Sequence, residues 1–142
     1  MAVLREVPVE AKVLVRGEPR PGFPLEPNTC AGDVLWLGPD EWLVLGAREA
    51  DFADAAAAVD VSAARVVLEL SGDDAREVLA QACSLDLRPA SFGPGRCART
   101  LVAQTEAILQ CTGDDAIRLL VPPSFAPYLR AWLEDAIEGA RR

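Results

Sequence analysis

The hydrophobic and polar positions of this chain predict short strands along most of its length. Apolar residues either alternate with polar ones or form runs of four to five, as in strands that are covered on both faces. Turn-forming residues at 38–41 and 112–115 each separate two such runs, so both pairs are predicted hairpins. The predicted strands lie at 11–16, 34–37, 42–45, 66–70, 101–104, 107–111 and 117–121.

Helical spacing of apolar residues predicts two amphipathic helices. The first has apolar residues at i, i+3, i+4 and i+7 from Ala75 and ends near Cys83. Ser71 or Asp73 is expected to cap its first turn. The last helix follows Pro123, and the alanine-rich stretch 50–59 is a third helix candidate. The predicted buried stripe of the last helix is Phe125, Leu129, Trp132, Leu133, Ala136 and Ile137.

The order of these elements favours an α+β fold. Tight turns join several of the strands, and tight turns connect antiparallel neighbours. We therefore expect a mainly antiparallel sheet with helices packed on one face, rather than a doubly wound parallel sheet.

Residues 1–31 differ from the rest of the chain in being rich in proline. Proline lacks the backbone N–H that a sheet ladder needs, so apart from 11–16 this segment is predicted to be an arm, either loose or wrapped over another surface. We expect an arm at 1–31 and a single domain at 32–142, and we expect removal of residues 1–27 to weaken assembly more than it weakens the fold. The prolines of the arm are Pro8, Pro19, Pro21, Pro24 and Pro27.

Composition restricts the possible partners. The 142 residues suffice for one domain with a substantial core. The net charge of −8 argues against nucleic acid, whose phosphates require clustered cations. No apolar run approaches the ~20 residues that cross a bilayer, and the start of the sequence does not resemble a signal peptide. We expect a cytoplasmic protein with no membrane partner. Lys12 is the only lysine, and together with the abundant Ala, Asp, Val and Pro this suggests a bacterial source.

The inventory of reactive groups excludes several kinds of site. The sequence has no histidine, so Ser–His and Cys–His nucleophile pairs cannot form within it. Its four cysteines include no Cys-x-x-Cys pair, so the usual zinc spacings are absent. Adjacent carboxylates occur at predicted turns, and the glycines at 93–95 suit a tight turn better than a phosphate loop. We expect no catalytic, cofactor-binding or metal-binding residue in this chain.

A local cluster of arginines stands out in this acidic protein. Arg88, Arg96 and Arg99 all lie within 12 residues of the sequence. They could contact an anion or a partner, or they could pair with some of the 22 acidic residues.

One stretch resembles a known family. The motif 70–75 (Leu-Ser-Gly-Asp-Asp-Ala), the run 83–87 (Cys-Ser-Leu-Asp-Leu), and then Phe92, Gly95 and Arg99–Thr100 are similar to the gamma subunit of heterotetrameric sarcosine oxidase. The segments at 37–43 and 124–129 fit the same family.

The resemblance implies a fold like the folate-binding domain of the glycine-cleavage T-protein and a non-catalytic role. In such complexes the alpha, beta and delta subunits hold FAD, FMN, NAD, zinc and tetrahydrofolate. The reaction demethylates sarcosine oxidatively to glycine, giving hydrogen peroxide and, with tetrahydrofolate, methylene-tetrahydrofolate.

Two alternatives remain open. One is a stand-alone folate-binding module, although the cysteine motif of relatives that act in iron–sulfur repair is missing. The other is a subunit of an oxidase for a different N-methyl amine. The candidate partner interface has Phe92 as its apolar anchor, and its other members are Arg88, Arg96, Arg99 and Thr100.

Overall fold

A computed structural model of the chain describes residues 1–9 and 11–141. Glu10 and Arg142, which belong to the predicted arm and domain, lie outside the described residues. The strands are β1 (Val3–Val7), β2 (Lys12–Arg16), β3 (Cys30–Ala31), β4 (Val34–Gly38), β5 (Glu41–Leu45), β6 (Ala57–Asp60), β7 (Val66–Ser71), β8 (Cys97–Val102), β9 (Thr105–Gly113) and β10 (Ala116–Val121). The helices are α1 (Ala75–Ala80) and α2 (Ala126–Ala140), and a 3-10 turn spans Glu49–Phe52.

The strands of the described residues form two five-stranded sheets. Sheet A has the order β1-β7-β10-β9-β8, and sheet B has the order β3-β4-β5-β2-β6. All pairings among the described strands are antiparallel. The α+β, mainly antiparallel prediction is confirmed, but the strands divide between two sheets instead of one.

The central strands of sheet A, β7, β10 and β9, are covered on both faces, which explains their nearly continuous apolar sequences. Successive residues of a strand point to opposite faces. In β10, Leu119 accordingly packs in the core cluster beneath the helices, whereas Leu120 packs against residues of sheet B. The layers are therefore helices, sheet A and sheet B, and the two helices lie on one face of sheet A as expected.

The stripe of α2 forms the core of the helix layer. Leu129, Leu133 and Ile137 are buried, as their spacing predicts. Phe125 is 51% exposed because it occupies the N-cap position, before the first full turn. None of the helices in the described part of the chain is both long enough and apolar enough to cross a bilayer.

Two stretches within the predicted arm are strands of the sheets. The strand predicted at 11–16 is confirmed as β2, which lies between β5 and β6. β1 pairs with β7 at the edge of sheet A and had no counterpart in the prediction. The strand is hard to recognise in the sequence because one face of an edge strand faces solvent and needs no apolar residues; Val3, for example, is exposed.

One part of the predicted arm, around Phe23 and Pro24, packs on sheet B. The carbonyl of Pro24 accepts a hydrogen bond from Nε1 of Trp42 at 2.8 Å, and the ring of Phe23 meets the Trp42 ring edge-on at 5.4 Å. This segment is therefore not a loose tail, because its contacts bury the outer face of sheet B. The proposed division at residue 31 stays a prediction.

Three local predictions differ from the structure. The helix expected at 50–59 is a 3-10 turn followed by β6, because this stretch has few large apolar groups and its end pairs with β2. The strand expected at 101–104 ends at Val102, since Ala103 and Gln104 have positive φ angles of 49° and 67°. The side chain of Asp73 caps no helix and instead binds the Met1 ammonium at 2.7 Å.

Candidate functional site

Two of the three clustered arginines, Arg88 and Arg96, lie in a loop, residues 86–96 between α1 and β8, that we call the arginine loop. Asp86 organises its first turn. Its carboxylate accepts hydrogen bonds from Nε and Nη2 of Arg88, at 2.9 and 2.7 Å, and from the hydroxyl of Ser91 at 2.9 Å. The Arg88 guanidinium holds the pKa of the Asp86 carboxyl well below its usual range. Arg88 is thus exposed to solvent but already paired.

Arg76 on α1 fastens the arginine loop to the domain. Its Nη1 donates to the carbonyls of Leu87 and Phe92, at 2.6 and 2.7 Å, and its Nε donates to the carbonyl of Asp114 at 3.1 Å. Sequence reasoning missed this residue, because a helical arginine beside a glutamate resembles an ordinary exposed position. One side chain therefore joins α1, the loop and the β9–β10 turn.

Phe92 does not occupy the place predicted for it. It is 3% exposed and packs in the helix-side core with Leu87, which is also buried. Its ring therefore anchors the arginine loop to this chain and is not available to a partner. The candidate interface keeps its polar members but loses Phe92 as its apolar anchor.

The end of the arginine loop is bound to the end of the predicted arm. Arg96 forms an antiparallel bridge with Thr29, and the Cys30 amide donates to the Gly95 carbonyl at 2.9 Å. The Cys97 amide donates to the carbonyl of Asn28, also at 2.9 Å. These bonds connect the two sheets and cover the start of the β8 edge. The side chain of Arg96 remains exposed beside them.

Arg99 and Thr100 face opposite sides of sheet A. Cys97 packs between the sheets and Val102 packs beneath the helices, so strand alternation directs Arg99 towards sheet B and Thr100 towards the helices. The five predicted interface residues therefore do not form one surface. Arg88 and Arg96 belong to the loop, whereas Arg99 belongs to a second feature between the sheets.

That second feature is a small cavity, the inter-sheet pocket. It measures about 160 Å³ and is lined by Leu37, Leu43 and Ile108, with Arg65 and Arg99 among its charged residues. Arg65 is fixed, since its Nη2 donates to both Glu106 carboxylate oxygens at 2.8 Å and its Nη1 donates to the Leu120 carbonyl at 2.9 Å. Sequence reasoning missed the Arg65–Glu106 pair, which 41 residues separate in the chain.

Burial favours the neutral form of two cysteine thiols, those of Cys97 and Cys30. Burial raises the pKa of the Cys97 thiol to about 12, and burial also raises the pKa of Cys30. The Cys97 sulfur lies 3.3 Å from the Thr29 carbonyl oxygen, as a weak donor. Within 1–9 and 11–141, no group of three or more Cys, Asp or Glu residues could hold a metal ion.

Comparisons with known proteins agree on one family. A model of the sarcosine oxidase, gamma subunit family matches residues 28–139. The sarcosine oxidase subunit gamma of Corynebacterium sp. (strain P-1) is 34% identical over 160 aligned residues, which cover 94% of this chain and 79% of that protein. The same subunit from Corynebacterium sp. (strain U-96) is 35% identical over 130 residues, covering 82% of this chain and 63% of that protein.

A solved structure gives the same result in three dimensions. It is heterotetrameric sarcosine oxidase from Corynebacterium sp. U-96 in complex with pyrrole 2-carboxylate. One of its chains matches with a TM-score of 0.86 and 31% sequence identity, covering 97% of this chain and 84% of that chain. The similarity therefore includes both sheets and both helices.

Proposed function

This chain belongs to the sarcosine oxidase gamma subunit family, and on that premise we propose that it is a structural, non-catalytic subunit of a heterotetrameric sarcosine oxidase in the cytoplasm. The observation that supports the assembly most strongly is the match, over 97% of this chain, to a chain of the solved heterotetramer. Such coverage leaves little of the chain for a separate module.

The proposed partners are the alpha, beta and delta subunits of the enzyme. Those subunits supply FAD, FMN, NAD, zinc and the tetrahydrofolate site, and they convert sarcosine to glycine with release of hydrogen peroxide. This chain contributes surface and rigidity. The side chains of this chain support a non-catalytic role. It has no histidine to act as a base near neutral pH, and its buried Cys97 thiol stays protonated at neutral pH.

The arginine loop is the first proposed contact surface. Arg76 and the buried ring of Phe92 hold its backbone in place, so little loop entropy is lost when a partner binds. Arg96 is exposed on this rigid frame and presents a cationic group to an acidic partner surface; Arg88 is also exposed there, with its guanidinium already paired to Asp86. Thr100, on the helix side of β8, is the proposed outlying member of the same interface.

A pull-down distinguishes the proposal from the alternative of an independent folate-binding module. The tagged chain is co-expressed with the three other subunits and purified through its own tag. Recovery of all three at equal stoichiometry is the expected result. Recovery of the chain alone, together with micromolar binding of tetrahydrofolate in a calorimetric titration, would overturn the proposal.

A further inference from the structure

We propose that the inter-sheet pocket binds one apolar side chain of a partner subunit, and that an acidic residue beside that side chain pairs with Arg99. This inference rests on the proposed function and names a specific contact within it. It also gives the interface the apolar anchor site that Phe92 does not provide.

The size of the pocket sets the size of its occupant. An engineered apolar cavity of about 150 Å³ holds a single benzene-sized group. The inter-sheet pocket, at about 160 Å³, therefore has room for one leucine-sized or phenylalanine-sized side chain. Its lining from Leu37, Leu43 and Ile108 suits an apolar group, because transfer of such a group out of water is favourable.

The charges around the pocket specify an acidic neighbour. Glu41 of the pocket lining already pairs with Arg16 at 3.0 Å, and Glu106, which contacts the lining residue Arg65, is paired with it at 2.8 Å. Arg99 has a weaker contact, with its Nε 4.0 Å from Glu106, and its side chain is 52% exposed. An incoming carboxylate would meet a guanidinium that can turn towards it at little cost.

The surface beside the pocket has the composition of an interface. β8 is an edge strand of sheet A, so no neighbouring strand of that sheet lies beyond it. Leu101 lies two residues beyond Arg99 on the same face of β8, and it is 58% exposed. An exposed apolar group, a pocket and a flexible arginine together form the apolar centre and charged rim that protein interfaces combine.

Two substitutions test the pocket from different sides. Arg99→Glu reverses the charge that would pair with the partner. Ala64→Phe places a ring at an exposed position of the pocket lining and blocks entry without altering the core. The matched control is Arg130→Glu on α2, because Arg130 is similarly exposed and also has a long ion pair, 3.9 Å to Glu6, in the helix layer on the other face of sheet A.

The measurement is the affinity of each full-length variant for the complex of the other three subunits, by biolayer interferometry. We expect each pocket variant to bind at least tenfold more weakly than the wild type, and Arg130→Glu to bind within twofold of it. Thermal unfolding shows whether each variant is folded, and Leu101→Ser at an exposed site replaces any that is not.

The outcomes separate this proposal from the one on which it rests. If the wild-type chain binds and the folded pocket variants bind equally well, the pocket proposal is refuted while the subunit role stands. If the wild-type chain itself does not bind, the subunit role fails first and the pocket proposal fails with it. Weaker binding of the pocket variants alone supports both.

Discussion

Replacing Phe92 by alanine decides whether this ring serves the chain's own core or a partner. The sequence predicted an interface anchor, whereas the structure buries the ring to 3% exposure beside Leu87 in the helix-side cluster. A core residue destabilises the isolated chain when it is truncated. An interface anchor leaves the isolated chain unchanged and weakens only the complex.

The magnitude follows from the burial. Removing a fully buried phenylalanine side chain costs about 3–5 kcal/mol, from lost transfer free energy and the cavity left behind. If the free energy of unfolding falls by ~2 kcal/mol for each molar of urea, this loss lowers the urea midpoint of unfolding by roughly 2 M. Circular dichroism during urea titration of the full-length chain measures this shift.

Phe125→Ala is the matched control, since it removes the same ring from a site that is 51% exposed. We expect it to cost less than about 1 kcal/mol. A Phe92→Ala midpoint equal to that of Phe125→Ala would refute the assignment of Phe92 to the core.

Three further predictions test other parts of the structure. Gly72→Ala places a Cβ against the carbonyl oxygen of Met1 at a φ of +123°, so it should lower the free energy of unfolding by more than about 2 kcal/mol. Gly139→Ala, with open space around it, should instead stabilise α2 by about 0.5–1 kcal/mol. Thermal melts compare the two variants. The Cys97 thiol should resist a disulfide reagent until the chain unfolds. Because the pKa of this thiol is raised from 9.0 to about 12 in the folded chain, the free energy of unfolding should fall as the pH rises across that interval. Chemical denaturation at several pH values measures whether stability falls or rises. Deletion of residues 1–16 removes β1 and β2 and should abolish cooperative unfolding rather than assembly alone; a sigmoidal urea transition in the deletion variant would contradict this.

The elements that the sequence predicted correctly are those whose local pattern matches their burial. The β4–β5 hairpin is an example, because its turn residues and both apolar runs lie within a dozen positions. The stripe of α2 is another, since Leu129 and Leu133 repeat at helical spacing on a buried face.

The features that were missed depend on contacts between distant parts of the chain. β1 alternates too weakly to be recognised, because an edge strand needs only one buried face. β6 is alanine-rich and has local helical propensity, but pairing with β2 decides its conformation. No local pattern could show that the strands divide into two sheets.

Only part of the candidate site was predicted, because the rest of it also depends on contacts between distant parts of the chain. The arginines of the loop are visible in the sequence because they are close together. The burial of Phe92 and the anchoring of the loop by Arg76 depend on tertiary packing. The inter-sheet pocket requires both sheets, and its Arg65–Glu106 pair forms across 41 residues, so the sequence holds no local signal for it.

The proposed role of this chain is to complete a larger enzyme through its shape. The most direct test is native mass spectrometry of the alpha, beta and delta subunits co-expressed with and without this chain. We predict one complete heterotetramer when the chain is present and only incomplete assemblies when it is absent. A stable complex of the other three subunits that oxidises sarcosine at the full rate without this chain would contradict the claim.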